Sequence, residues 1–215
     1  MTAVTDFFVS IFHSLQWFFN VFDLSILRFF DKYFNNPILD KIMLFFTLLG
    51  EKGIVFIAAA VLLLFFKRFR RTGILILGAL LVTFLCCEFG IKLLVERPRP
   101  FVTYPEFQLI ISPPHGYSFP SSHAATSFAV AAVLCYCHKK LSAVFMLTAS
   151  LIALSRVYLL VHYPTDIIAG MVLGSLLAML SIYILNKIFK FPANISHIKD
   201  GSPIPEDNGG EPIGR

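Results

Sequence analysis

The chain has 215 residues, of which 57% are apolar, 15% aromatic and 14% charged, with 24 Phe and a net charge of +5; its mean hydropathy is +0.76. Soluble domains carry roughly 25% charged residues, so this composition excludes a soluble enzyme, a disordered chain and a disulfide scaffold, and places most of the chain in lipid or inside a helical bundle. The basic residues sit in short clusters at the ends of apolar runs, which argues against a nucleic-acid partner, and the length suits an all-α polytopic membrane bundle of five to six spans of about 20 residues each.

In chain order, the N-terminus carries Asp6 and no basic residue before its first apolar stretch, so it does not read as a secretory signal. Residues 5–34 are aromatic but punctuated by Asp6, His13, Gln16, Asn20, Asp23, Arg28, Asp31 and Lys32. That pattern predicts helices lying in the membrane interface, with a span over about residues 4–22 as the alternative, and residues 1–36 are assigned to this N-terminal unit. Uncharged runs over 54–66, 72–87, 124–137, 141–155 and 167–186 predict the spanning cores of a membrane domain over 37–191. The first run must borrow from residues 42–52, which Gly50, Glu51, Lys52 and Gly53 interrupt, so it is either one long tilted helix or a broken one. Cys86, Cys87, Cys135 and Cys137 fall inside or at the end of apolar runs and read as small core residues. Residues 192–215, rich in Pro, Gly and acidic side chains, read as a disordered tail.

Cations fix an expected orientation. Lys67, Arg68, Arg70 and Arg71 close the first core, Lys139 and Lys140 separate the third from the fourth, and Lys187 and Lys190 follow the last. Alternate loops are therefore basic and expected in the cytoplasm. The loops over 88–123 and 156–166 then share the outer face of the cytoplasmic membrane, and they hold everything chemically unusual.

A chain this poor in charge places Lys92, Arg97, Arg99, His123, Arg156 and His162 at one membrane face, which is costly unless they bind an anion. Pro120-Ser121 before an apolar run predicts a helix start with Ser121 as N-cap, so that the N–H groups of Ser122 and His123 and the helix dipole make an anion site. Lys92, Arg99 and Arg156 are suited to neutralise phosphoryl oxygens. His162 and Asp166 stand at i and i+4, a spacing that lets the carboxylate fix one imidazole nitrogen and leave the other as a nucleophile. His123, from another helix, is placed to protonate a leaving oxygen. Glu88, one turn before Lys92, predicts an ion pair that keeps the lysine charged and aimed. Arg97 reads equally as a structural and as a functional residue.

Lys92 with six residues before Arg99-Pro100, then Pro120-Ser121-Ser122-His123, then Ser155-Arg156 with five residues before His162 and three more before Asp166, resembles the three ordered signatures of the phosphatidic acid phosphatase type 2 superfamily. The one departure is Ser122, where the family usually has Gly, and it implies a looser or shifted phosphate cradle. The resemblance implies a lipid phosphate or diphosphate phosphatase that needs no metal or other cofactor. In it His162 becomes a phosphohistidine, Asp166 orients it, and His123 acts as general acid and then activates water. Lys92, Arg99, Arg156, Ser121 and the Ser122 and His123 amides hold the phosphate. The expected partners are a phosphorylated membrane lipid and the bilayer itself. Undecaprenyl diphosphate is the first choice of substrate; phosphatidic acid, phosphatidylglycerol phosphate and lipid A phosphate compete with it. A lipid-to-lipid phosphotransferase, and a non-catalytic phospholipid-binding or transport protein, are the alternatives.

Overall fold

The computed structural model describes residues 19–34 and 36–189. The possible span over 4–22 falls mostly outside these residues, and the tail over 192–215 wholly so. The described residues form an all-helical bundle with no strand among them.

Residues 19–33 form α1. Helix α2, Pro37–Leu49, starts where Asn36 Oδ1 accepts from the N–H groups of Ile38 (2.8 Å) and Leu39 (3.4 Å), with Pro37 set at a first-turn position that needs no donor. It stops at Gly50, and a single 3-10 turn, Glu51–Gly53, leads into α3, Ile54–Phe65. Lys52 and Gly53 both have positive φ, 50° and 67°, so the helical ladder is interrupted here. The long first span is thus a broken one.

After the basic turn, α4, Arg70–Phe84, runs on through a π-helical stretch, Leu85–Ile91, into α5, Lys92–Val95. Glu96 at φ 49° ends it, and the short helix α6, Pro100–Thr103, follows. A long loop leads to α7, Ser122–Cys137; α8, Ser142–Tyr158, and α9, Pro164–Phe189, complete the described chain. Pro37–Phe65, Arg70–Thr103, Lys139–Tyr158 and Pro164–Phe189 are long and apolar enough to cross a membrane, and α7 is a shorter apolar helix among them.

Helix α7 is the axis of the bundle. Nine of its sixteen residues are buried, because α4, α8 and α9 all pack on it. Its alanines 124, 125, 129 and 131 are buried and keep it thin, while Leu62, Phe65, Leu81, Leu147, Val172 and Met179 are exposed on surrounding helices, as a lipid-facing surface requires. Leu27 of α1 shares a buried core with Phe107, Phe128, Val157 and Tyr163, so α1 packs on the end of the bundle where α9 begins. The basic turns gather at the other end, where Arg71 donates to Asn186 Oδ1 (2.9 Å) and to the Tyr136 hydroxyl (3.2 Å).

Closest approach in the bundle is between α7 and α9. A Cβ on Gly174 would lie 2.0 Å from the Ala125 carbonyl oxygen, and one on Gly170 would lie 2.6 Å from the Ser121 carbonyl oxygen. Gly170 and Gly174 form the small-residue pair, one turn apart, that lets two helix backbones touch in a membrane. Gly174→Ala is therefore expected to force the helices apart at a cost of about 1–3 kcal/mol, read as a lower thermal unfolding midpoint in detergent. Gly90→Ala, where the nearest atom is 3.9 Å from the new Cβ, is the matched change expected to leave the midpoint in place.

Candidate active site

The turn between α8 and α9 delivers His162 and Asp166. Leu160 takes a positive φ of 57° to reverse the chain, the His162 N–H donates to the Arg156 carbonyl (3.3 Å), and Pro164 opens α9 at a first-turn position suited to it. Both side chains are buried, His162 at 2% exposure and Asp166 at 0%. Asp166 Oδ2 accepts from the Tyr163 N–H (2.9 Å) and lies 3.4 Å from His162 Nδ1. Nδ1 makes no hydrogen bond among the described residues, so this contact is electrostatic rather than a closed hydrogen bond.

The tautomer is held from the other side of the ring. Arg99 Nη1 lies 3.1 Å from His162 Nε2, and because a guanidinium only donates, Nε2 must accept and the ring proton sits on Nδ1, toward Asp166. Arg99 in turn donates to the carbonyls of Val161 (3.0 Å), Gly116 (3.0 Å) and His115 (3.2 Å). This guanidinium thus ties the long loop before α7 to the α8–α9 turn.

Lys92, Arg99 and Arg156 are all nearly buried, at 8%, 5% and 3% exposure. Arg156 Nη1 donates to Thr47 Oγ1 of α2, while its Nε has no partner among the described residues. These three cations and His123 all act on His162: burial first, then Arg99, Arg156, His123 and Lys92, push its pKa well below the ordinary histidine value. The imidazole is therefore neutral.

At the start of α7, Ser121 is the N-cap, its Oγ accepting from the Ala124 N–H (3.4 Å). The Ser121 N–H donates to the Asp166 carbonyl (3.1 Å), which locks the first turn of α7 to that of α9. The N–H groups of Ser122 and His123 belong to the first turn of α7, which has no intrahelical partners for them. Ser122 Oγ donates to Glu88 Oε1 (2.5 Å), and the same oxygen takes Lys92 Nζ (2.7 Å). The predicted Glu88–Lys92 pair is present, and the serine that stands in place of the usual glycine clips α7 to the π-helical stretch.

The eight catalytic and phosphate-binding residues expected from the sequence, Lys92, Arg99, Ser121, Ser122, His123, Arg156, His162 and Asp166, lie at this end of the bundle, and Arg97, Asp23 and Glu51 join them. Arg97 bridges buried carboxylates, donating to Asp23 Oδ2 (2.6 Å) and Asp166 Oδ1 (2.7 Å), with its guanidinium 3.8 Å from the Tyr163 ring centroid. Asp23 also accepts from the Thr165 N–H (2.9 Å) and hydroxyl (2.5 Å) at the start of α9. Glu51, on the break between α2 and α3, places Oε2 3.4 Å from His123 Nε2. The Gly50 to Gly53 interruption was the signal for Glu51, but nothing local in the sequence pairs Asp23 with Arg97.

The family model for the PAP2 superfamily matches residues 73–190, which hold all eight residues. The undecaprenyl-diphosphatase of Sulfolobus acidocaldarius is 34% identical over 147 residues, 68% of this chain and 70% of its own length. The lipid A 4'-phosphatase of Bacteroides thetaiotaomicron is 30% identical over 202 residues, 87% of this chain and 85% of its own. The crystal structure of LpxE from Aquifex aeolicus superposes with a TM-score of 0.67 at 27% identity, covering 75% of this chain and 94% of that one. A multi-pass helical bundle with a buried neutral histidine set among three cations, matched over more than half its length by this family, belongs to the PAP2 superfamily and is a phosphoric ester hydrolase that acts on lipids.

Proposed function

We propose that the chain removes phosphate from a polyprenyl diphosphate, undecaprenyl diphosphate first, through a phosphohistidine and without a metal. The observation that carries the chemistry is the neutral, buried His162 with Nε2 as its unprotonated nitrogen, 3.1 Å from Arg99. In this reading Nε2 attacks phosphorus in line as the bond to the leaving oxygen breaks, and His123 gives that oxygen its proton. Asp166 stabilises the charge that then develops on the ring. Lys92, Arg99, Arg156 and the first-turn amides of α7, with Ser121 as its cap, hold the phosphoryl oxygens. Water, deprotonated by His123, releases phosphate and restores His162. The undecaprenyl-diphosphatase among the relatives supports the substrate; the lipid A 4'-phosphatase, matched over a larger share of this chain, favours a lipid phosphate monoester as the second reading.

A small apolar crevice of about 80 Å³ lies between α3, α7 and α8, lined among others by Phe56, Phe145 and Ile152. Ile152 also touches the Gly50 position beside His123, so the crevice starts next to the site. With the basic turns at the far end, the positive-inside rule supports a site on the outer side of the cytoplasmic membrane.

The test is phosphate release by purified protein in detergent with EDTA, from undecaprenyl diphosphate and from phosphatidic acid. Turnover is expected to survive EDTA, and brief reaction with labelled substrate to leave an acid-labile, base-stable label that is absent in His162→Ala; a strict metal requirement or an unchanged label would overturn the reading. The same assay carries a pH signature. An unfolded chain binds a proton at histidine near pH 6.5, whereas folded His162, its pKa depressed, stays neutral there. The nucleophile should keep its activity as pH falls through about 6.5, with its acid limb displaced below that value. Folding stability, in contrast, should begin to fall over that same window, because only the unfolded state takes up the proton.

A further inference from the structure

The residue that faces the general acid is a carboxylate outside the three signatures. Glu51 sits on the 3-10 turn between α2 and α3, where the break turns the chain toward α7. Gly50 makes this approach: a Cβ there would lie 2.9 Å from His123 Cδ2 and 2.6 Å from Ile152 Cγ2, and Ile152 is fully buried and stiff at χ1. The turn therefore rests on the His123 ring edge, with Glu51 Oε2 3.4 Å from Nε2. Nε2 is buried and has no hydrogen bond among the described residues. The charged groups that act on this ring are Glu51, Arg156 and Lys92. Burial opposes a protonated imidazole most strongly, the two cations add to that, and Glu51 is the group that works against them. The other three carboxylates of the site are committed, Glu88 to Lys92 and Ser122, Asp166 to Arg97 and His162, and Asp23 to Arg97 and Thr165. Glu51 alone among these supplies His123 with a counter-charge, and at 47% side-chain exposure it reaches solvent from which a proton is replaced.

We infer that Glu51 is a positioning residue that holds His123 as the protonated acid for the leaving oxygen, an inference that rests on the phosphohistidine reading above. As the His162 nitrogen to phosphorus bond forms and the phosphorus to oxygen bond breaks, the His123 proton passes to the leaving oxygen. The neutral His123 then takes a proton from the attacking water, and the imidazolium is again paired with Glu51.

A positioning role of this kind has a signature that general damage to the fold lacks, because only leaving groups that need a proton depend on it. An alkoxide leaving from phosphatidic acid needs protonation; nitrophenolate leaving from p-nitrophenyl phosphate does not. Glu51→Gln is expected to lower kcat at least tenfold on phosphatidic acid and less than threefold on p-nitrophenyl phosphate, with the unfolding midpoint in detergent measured alongside. Equal losses on both substrates, or no loss on either, would overturn the proposal while leaving the phosphohistidine reading intact. A wild-type protein with no acid-labile label would overturn both. If Glu51→Gln does not purify folded, Glu51→Asp, with its charge withdrawn by one methylene, should show the same split at threefold or more on phosphatidic acid, and equal losses there would likewise overturn it.

Discussion

Asp166→Asn should leave a folded protein whose turnover is lower by about 10³ to 10⁴, the scale seen when the carboxylate of a catalytic histidine pair is made an amide. The reason lies in what surrounds the carboxylate. Oδ1 takes the Arg97 guanidinium at 2.7 Å and Oδ2 takes the Tyr163 N–H at 2.9 Å, both of them donors. An amide has only one acceptor end, so either orientation sets its NH₂ against a donor. Turned toward His162, the NH₂ also donates to Nδ1 and selects the tautomer with its proton on Nε2. That proton would face the Arg99 guanidinium, which only donates, and would remove the lone pair that attacks phosphorus. Steady-state kcat together with the yield of labelled enzyme checks this: both should fall, with KM changed far less. A loss under tenfold would mean that Arg99 alone holds the tautomer and that Asp166 serves mainly as an anchor for Arg97.

What could be read ahead of the structure follows the range of the forces involved. His162 and Asp166, Glu88 and Lys92, and Ser121 with the first turn of α7 are local arrangements, set by i,i+4 spacing and helix capping, and such spacings are written directly in the chain. The apolar runs likewise announced the spanning helices, because a bilayer requires them. Two things were not local. The Glu88 oxygen that takes Lys92 also takes Ser122, 34 positions away in sequence, a contact that clips α7 to the π-helical stretch. Asp23 meets Arg97 across 74 positions and Thr165 across 142, contacts that exist only once α1 has docked on the start of α9. The break at Gly50 to Gly53 was visible as an interruption, but that it rests against His123 depends on the packing of α2 on α8.

The largest effect on folding is expected at Arg97, which the sequence left evenly balanced between two roles. Its guanidinium joins two carboxylates that are wholly buried, Asp23 and Asp166, and donates to Thr165 Oγ1 (2.8 Å) as well. Arg97→Ala leaves these two anions facing one another with no cation between them. Removing one partner from a buried charge network costs about 3–5 kcal/mol, far more than an exposed pair would. The unfolding midpoint in detergent should therefore drop steeply, and activity with it, since Asp166 would no longer be held beneath His162. Arg97→Lys keeps the charge but replaces a planar fork by a single point, so it should recover part of the stability and less of the activity. The decisive comparison is the double variant Arg97→Ala with Asp23→Asn. With one of the facing charges removed, it should be more stable than Arg97→Ala alone, a non-zero coupling energy where independent sites would simply add. If Arg97→Ala instead unfolds within about 1 kcal/mol of the unaltered protein, a surface-like value, then α1 is not anchored through this network, and its docking rests on the Leu27 core alone.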